Sequence, residues 1–208
     1  MPPFTHTYLY EAGTDPAAAP LLLLHGTGGS ENELLLLGRQ LSPGAALLSP
    51  RGNVLERGAP RFFRRFAEGV FDFADLARRV EELADFIAAA ARHHSFDAAR
   101  LTALGFSNGA NMAASLLMLR PESLAAAVLL RPMVVLQPAS VPPLTGKRVL
   151  ISSGQFDPIT PADHPERLAR LLRDAGAEVE VCVHAASHSL VQADHRAAQK
   201  FLAEINSR

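Results

Sequence analysis

Cysteine is almost missing from this chain, tryptophan is missing altogether, and neither sign of charge prevails. The single cysteine, Cys182, has no partner for an internal disulfide, which excludes a small scaffold held together by cross-links. Within the run EVEVCVH it reads as a small buried apolar residue. Lys and Arg total 20 against 21 Asp and Glu, leaving a formal net charge of −1. That balance offers no basic footprint, so neither nucleic acid nor an anionic membrane is an expected partner. The leucine clusters at 21–24 and 34–37 are far too short to span a bilayer, so no membrane insertion is expected. MPPFTHTYLY carries neither the basic nor the apolar segment of a secretory signal, and the expected location is the cytoplasm. No Cys/His spacing has the form of a zinc site, and no metal or organic cofactor is expected.

What the chain does have is apolar residues, 48% of its 208 positions. This suffices for one substantial core, and a single domain over residues 1–208 is the expectation. Continuous apolar runs of strand length recur: LLLL at 21–24, AALLS at 45–49, RLTALG at 100–105, AAAVLL at 125–130, RVLISS at 148–153 and VEVCV at 179–183. Runs of this kind suit strands covered on both faces. Between them lie segments with helical spacing. In FADLARRVEELADFIAAAARHH, 73–94, Leu76, Val80, Leu83, Ile87 and Ala91 form one stripe and charged residues the other face. ASLLMLR, PERLARLLRDAG with Gly176 as its stop, and the stretch from Leu190 onward read as further helices. Buried strands alternating with helices predict an α/β class with a mostly parallel, doubly wound sheet. TYLY near the start fits an antiparallel edge strand. Two irregular stretches remain, 50–73 and 131–147, and long connections in compact domains tend to carry function.

The segment LTALGFSNGANMAASLL contains G-x-S-x-G between a predicted strand and a predicted helix. The pattern alone is weak, but this context is what a sharp strand-to-helix turn presenting a nucleophilic serine requires, so Ser107 is the candidate nucleophile. A serine hydroxyl needs a base within hydrogen-bond reach and an acid to orient that base. Asp157, in SGQFDPITP just beyond a strand, is the candidate acid, although its residue type alone also fits a turn before proline. Asp163 reads as a helix N-cap, with Glu166 completing a capping box. The last strand is followed by His184, His188 and His195. His184 directly follows the strand and could be buried, and His195 lies on a polar helical stretch. His188, in the loop before the last helix, is the favoured base.

A developing oxyanion needs backbone donors. One is expected from Asn108, directly after the serine. The other is expected from Thr27 in HGTGG, where Gly26, Gly28 and Gly29 let the backbone turn inward. That loop lacks the lysine of a phosphate-binding loop and does not match G-x-G-x-x-G. His25 is expected to brace it, and His93 and His94 to complement a helix dipole.

Taken in order, LLLLHGTGGSE, SPRG, RFFRRFAEGVFD, LGFSNGANMA, SGQFDPITP and HSL resemble the small bacterial carboxylesterase/phospholipase family of α/β-hydrolases, related to acyl-protein thioesterases and to hydrolases associated with hydroquinone stress. The resemblance implies an α/β-hydrolase fold, and the chain has no room for a large cap domain between its strands. It implies Ser107 as nucleophile, Asp157 as acid, His188 as base, and Thr27 and Asn108 as oxyanion donors. Ser187 stands where glycine is commoner before the histidine. The implied activity is hydrolysis of small to medium-chain carboxylic esters through an acyl-enzyme, with thioesters and lysophospholipids as variants and a small-molecule ester as partner. A homodimer is compatible with these features. Phe62, Phe63, Phe71, Met133 and Leu136 are candidate pocket residues, although each phenylalanine taken singly reads more simply as core. Arg51, Arg61, Arg64 and Arg65 read as a solvated face. Two competing readings are a hydrolase of a lactone or ring-fission product of aromatic or quinone metabolism, and a non-catalytic binding module on the same fold.

Overall fold

The computed structural model describes residues 4–207. In chain order the elements are β1 Tyr8–Glu11, β2 Leu21–Leu24, α1 Leu35–Leu41, β3 Leu47–Pro50, β4 Val54–Glu56, β5 Ala59–Arg61, β6 Arg65–Ala67, β7 Val70–Phe71 and α2 Phe73–His94. They continue with β8 Thr102–Phe106, α3 Asn108–Leu119, β9 Ala126–Leu130, β10 Arg148–Gly154, α4 His164–Asp174, β11 Glu178–His184 and α5 Gln192–Asn206.

Seven strands form one sheet in the order β1-β3-β2-β8-β9-β10-β11. Every pairing is parallel except that of the edge strand β1 with β3, as the TYLY segment suggested. The uninterrupted leucines of β2 follow from burial on both faces. Leu22 and Leu24 join the cluster shared with α2, α3 and α4, while Leu21 and Leu23 join the cluster shared with α1 and α5. Alternate residues of β9 and β10 divide in the same way, Ala127 and Leu129 to one side and Val128 and Leu130 to the other. Among the described residues no large cap covers the sheet; this is the α/β-hydrolase fold.

Helix α1 was not anticipated from the sequence, and the structure differs from the sequence reading in four further places. The 50–73 stretch is not wholly irregular but folds into two small hairpins, β4–β5 and β6–β7. The β11 strand lies at the sheet edge, so its valines and glutamates alternate, and Cys182 is half-buried instead of enclosed. Asp163 does precede α4, but its carboxylate makes no capping bond and pairs with Arg167. Arg61 is not solvated: its guanidinium is buried between the Phe63 carbonyl and the Thr27 hydroxyl, while Arg51 and Arg65 are paired with acids.

On the α2 side, His6 is buried against Phe86, and that burial pulls its imidazole from 6.5 down to about 4. The unfolded chain accepts this proton before the folded chain does. Its contribution to stability is therefore complete above pH 6.5 and declines as pH falls toward 4. We expect His6→Phe to flatten the acid limb of the stability profile by on the order of 3 kcal/mol, read from urea midpoints across that range. An unaltered limb would contradict this.

Candidate active site

The sharp turn after β8 is dictated by two close approaches. A Cβ on Gly105 would lie 2.6 Å from the Gly109 carbonyl oxygen, and one on Gly109 would lie 2.0 Å from the Leu24 carbonyl oxygen. Glycine is required at 105 for α3 to start this close to β8, and at 109 for it to start this close to β2. Between them Ser107 adopts φ 51° and ψ −112°, a backbone conformation that L-residues rarely hold. Its own N–H is used, donating to the Leu130 carbonyl at 2.8 Å. The side chain is thereby raised at the carboxyl end of the sheet, where loops following β2, β10 and β11 also end.

Asp157 lies in the loop after β10 and His188 in the loop after β11. The His188 ring is 2.8 Å from Asp157 Oδ2 through Nδ1 and 2.9 Å from Ser107 Oγ through Nε2. A carboxylate only accepts, so Nδ1 carries the proton and Nε2 accepts the serine O–H. Asp157 Oδ1 accepts from the Ile159 and Thr160 N–H groups. Burial pushes this carboxyl up, but the Ile159 N–H, the His188 ring and the Thr160 N–H together outweigh it and hold Asp157 below its ordinary range. The two loops are stitched together, the Phe156 N–H donating to the Ala186 carbonyl at 2.9 Å. A Cβ on Gly154 would come within 2.2 Å of the Ser187 carbonyl oxygen, so glycine is required there and not at 187. The serine before His188 has no positive φ and is accommodated without strain. His184 and His195 stand apart from Ser107: the first is 3.8 Å from Asp194, the second lines a groove beside α1.

The HGTGG loop is fixed from below. His25 is buried; its Nδ1–H donates to the Gly26 carbonyl at 2.6 Å, and its Nε2 accepts the Gly52 N–H at 3.0 Å. Burial lowers its pKa, against the Gly26 carbonyl and Glu31, which raise it. It is a brace, as the sequence reading expected. The Gly28 N–H donates to the Pro60 carbonyl, and Arg61 reaches the Thr27 hydroxyl at 2.6 Å. Among the described residues the backbone N–H groups of Thr27 and Asn108 take no acceptor. Asn108 is the first residue of α3, where an amide has no intrahelical partner.

Of the five candidate pocket residues, Phe62, Phe63, Phe71 and Met133 are buried in the core cluster, and Phe63 is 0% exposed. Their rings and chain fill the space under the loops, which corrects the expectation that they line a substrate pocket. Leu136 does line an open groove, with Phe73, Val134 and Arg167. A larger groove runs beside α1, bounded by Leu34, Leu36, Leu37, Phe106 and Leu190. Its Phe106 precedes Ser107 and sits 5.4 Å from the His188 ring.

Two asparagines have a function that sequence reasoning missed. Asn108 Oδ1 accepts the Phe62 N–H at 2.8 Å, and Asn111 Oδ1 accepts the Met133 N–H at 2.7 Å. One turn of α3 thus holds both of the long connections, 50–73 and 131–147. The signal was present as two amide side chains three residues apart in a helix that is otherwise apolar except for Ser115, but their partners are remote in sequence. Asn108→Ala leaves a buried N–H unpaired, and we expect a loss of about 1–3 kcal/mol in unfolding free energy, measured with urea. A variant as stable as the parent would remove this anchoring role.

The comparisons with known proteins agree with this fold. Residues 25–205 match the model of the dienelactone hydrolase family. The putative hydrolase MhqD of Bacillus subtilis is 46% identical over 197 residues, spanning 95% of this chain and 98% of that protein. The Bacillus cereus carboxylesterase superposes with a TM-score of 0.94 at 42% identity, covering 97% of this chain and 95% of that one. A carboxylesterase from Mesorhizobium loti gives 0.91 at 31% identity, with 98% and 97% covered. The chain is therefore a hydrolase acting on esters, and it belongs to the dienelactone hydrolase family.

Proposed function

We propose that the protein is a serine hydrolase of small to medium-chain carboxylic esters, acting through an acyl-enzyme on Ser107. The observation that carries this is the continuous line Ser107 Oγ, His188 and Asp157, closed by contacts of 2.9 and 2.8 Å. His188 Nε2 takes the serine proton as Oγ bonds to the ester carbonyl carbon. The carbonyl oxygen gains the negative charge, and the backbone N–H groups of Thr27 and Asn108 receive it. As the C–O bond breaks, His188 returns its proton to the leaving alkoxide. Water then repeats the sequence on the acyl-enzyme, giving up a proton to His188 and releasing the carboxylic acid and Ser107. The ionised Asp157 keeps Nδ1 protonated throughout. No step calls on a metal or organic cofactor.

The groove beside α1 supports an apolar substrate, because it begins at Phe106, which precedes Ser107, and at Leu190, two residues after His188. Leu36, 62% exposed, forms part of its rim. Thioesters and lysophospholipids fit the same acyl transfer.

The family match supports a second reading, a lactone as substrate. A lactone is a cyclic ester in which the alkoxide released by acylation stays tethered to the acyl group, so the same residues serve. An enol-lactone assayed beside 4-nitrophenyl esters of increasing acyl length separates the two.

We expect Ser107→Ala to lower kcat by on the order of 10⁴-fold or more and to abolish labelling by a fluorophosphonate; labelling that persists in that variant would refute the assignment. Leu36→Trp should shift the acyl-length optimum toward shorter esters, whereas an unmoved optimum would exclude the α1 groove as the binding site.

A further inference from the structure

Arg131 and Asp194 are 0% exposed, which is unusual for either residue type. The carboxylate takes two guanidinium bonds, Nη1 to Oδ1 at 2.7 Å and Nη2 to Oδ2 at 2.8 Å. The remaining donors of Arg131 go to backbone. Nε donates to the Ser187 carbonyl at 3.0 Å, Nη2 to the Ser189 carbonyl at 2.9 Å, and Nη1 to the Ser152 carbonyl at 3.3 Å. All five N–H groups are thus satisfied. Asp194 in turn accepts the Ser152 hydroxyl at 2.6 Å and the Val191 N–H at 2.7 Å. Burial pushes the Asp194 carboxyl up, but Arg131, Ser152 and the Val191 N–H together hold it below its ordinary range.

A buried ion pair is seldom more stabilising than apolar side chains of the same volume, because both charges must leave water. Stability alone therefore does not account for this pair. What apolar side chains could not supply is a rigid fork of donors, and that fork grips the carbonyls immediately before and after His188. Arg131 itself is held at φ 57°, at the end of β9 beside the Ser107 turn, whose N–H is bonded to the preceding residue, Leu130. One guanidinium therefore links the strand that supports Ser107 to the loop that carries His188.

We propose that Arg131, held by Asp194, is a positioning residue for His188. It clamps the peptide on both sides of the histidine, so that the imidazole keeps its distance to Ser107 and Asp157 through both proton transfers. The proposal rests on the reading of Ser107, His188 and Asp157 given above.

The test is the paired replacement Arg131→Met with Asp194→Leu, which removes both charges and keeps an apolar filling. Turnover of a 4-nitrophenyl ester is normalised to active sites titrated with a fluorophosphonate, so that a misfolded fraction does not count. We expect kcat to fall about 100-fold with KM within ~3-fold of the parent, since displacement of a catalytic group by an ångström has effects of that order. The rate of fluorophosphonate labelling should fall in parallel, because it too depends on His188 accepting the serine proton. Parental kcat in the folded double variant would overturn the clamp. Should that variant not fold, Arg131→Lys decides. Its ammonium keeps the ion pair but has only three donors, so about a 10-fold loss in kcat at unchanged KM is expected, and an unaltered kcat rejects the proposal. Ser107→Ala separates this from the reading beneath it: turnover surviving in Ser107→Ala rejects the serine mechanism, whereas turnover lost there but intact in the paired variant rejects only the clamp.

Discussion

The approach of α3 to β2 is the contact on which the geometry of this protein turns. Gly109 lies so close under the Leu24 and His25 carbonyls that a single methyl group there would overlap the backbone. That proximity draws the first turn of α3 up to the loop following β2, and so brings the Asn108 amide, Ser107 and the HGTGG backbone to one place. It also forces Ser107 into a positive φ, a local strain that the packing of the sheet on both faces can sustain. The remaining parts of the site are arranged around this fixed point.

Around it, a small set of buried polar groups converts loops into something close to rigid scaffold. His25 ties the β2 loop to Gly52, and Arg61 ties it to the hairpin segment. Asn108 and Asn111 hold the two long connections, while Arg131 and Asp194 hold the loop of His188. Each of these groups would be costly to bury without its partners. Because the partners are backbone N–H and carbonyl groups at defined places, satisfying them fixes loop positions that apolar contacts alone would leave free to slide. Preorganised dipoles of this kind are what ester hydrolysis asks of a protein, since charge moves from serine to oxyanion within a few ångströms.

The parallel core was legible because burial on both faces leaves a plain mark, runs such as LLLL and AAAVLL with no polar alternation. The edge was less so: β11 looked like another interior strand, though its glutamates alternate with valines because one face meets solvent. The phenylalanines of 62–71 illustrate a different limit. Apolar side chains near a functional loop can line a cleft or fill the floor beneath it, and the same letters serve either purpose. Here Phe62, Phe63 and Phe71 form the floor. Arg61 and Arg131 were misjudged or passed over for a related reason, since a charged side chain is expected in water unless its partner is known, and Asp194 lies 63 positions from Arg131.

By itself the sequence determined the seven strands of the main sheet and four of the helices that flank it, the serine at a glycine-flanked turn, and the acid and histidine placed after later strands. These are local properties, set by hydrophobic period and by which residues a turn tolerates. Only the tertiary structure decided which histidine meets Ser107, which phenylalanines are covered, and that an arginine and an aspartate share one dry site behind His188. Those outcomes depend on distances between segments far apart in the chain, which no local pattern encodes and which close packing settles all at once.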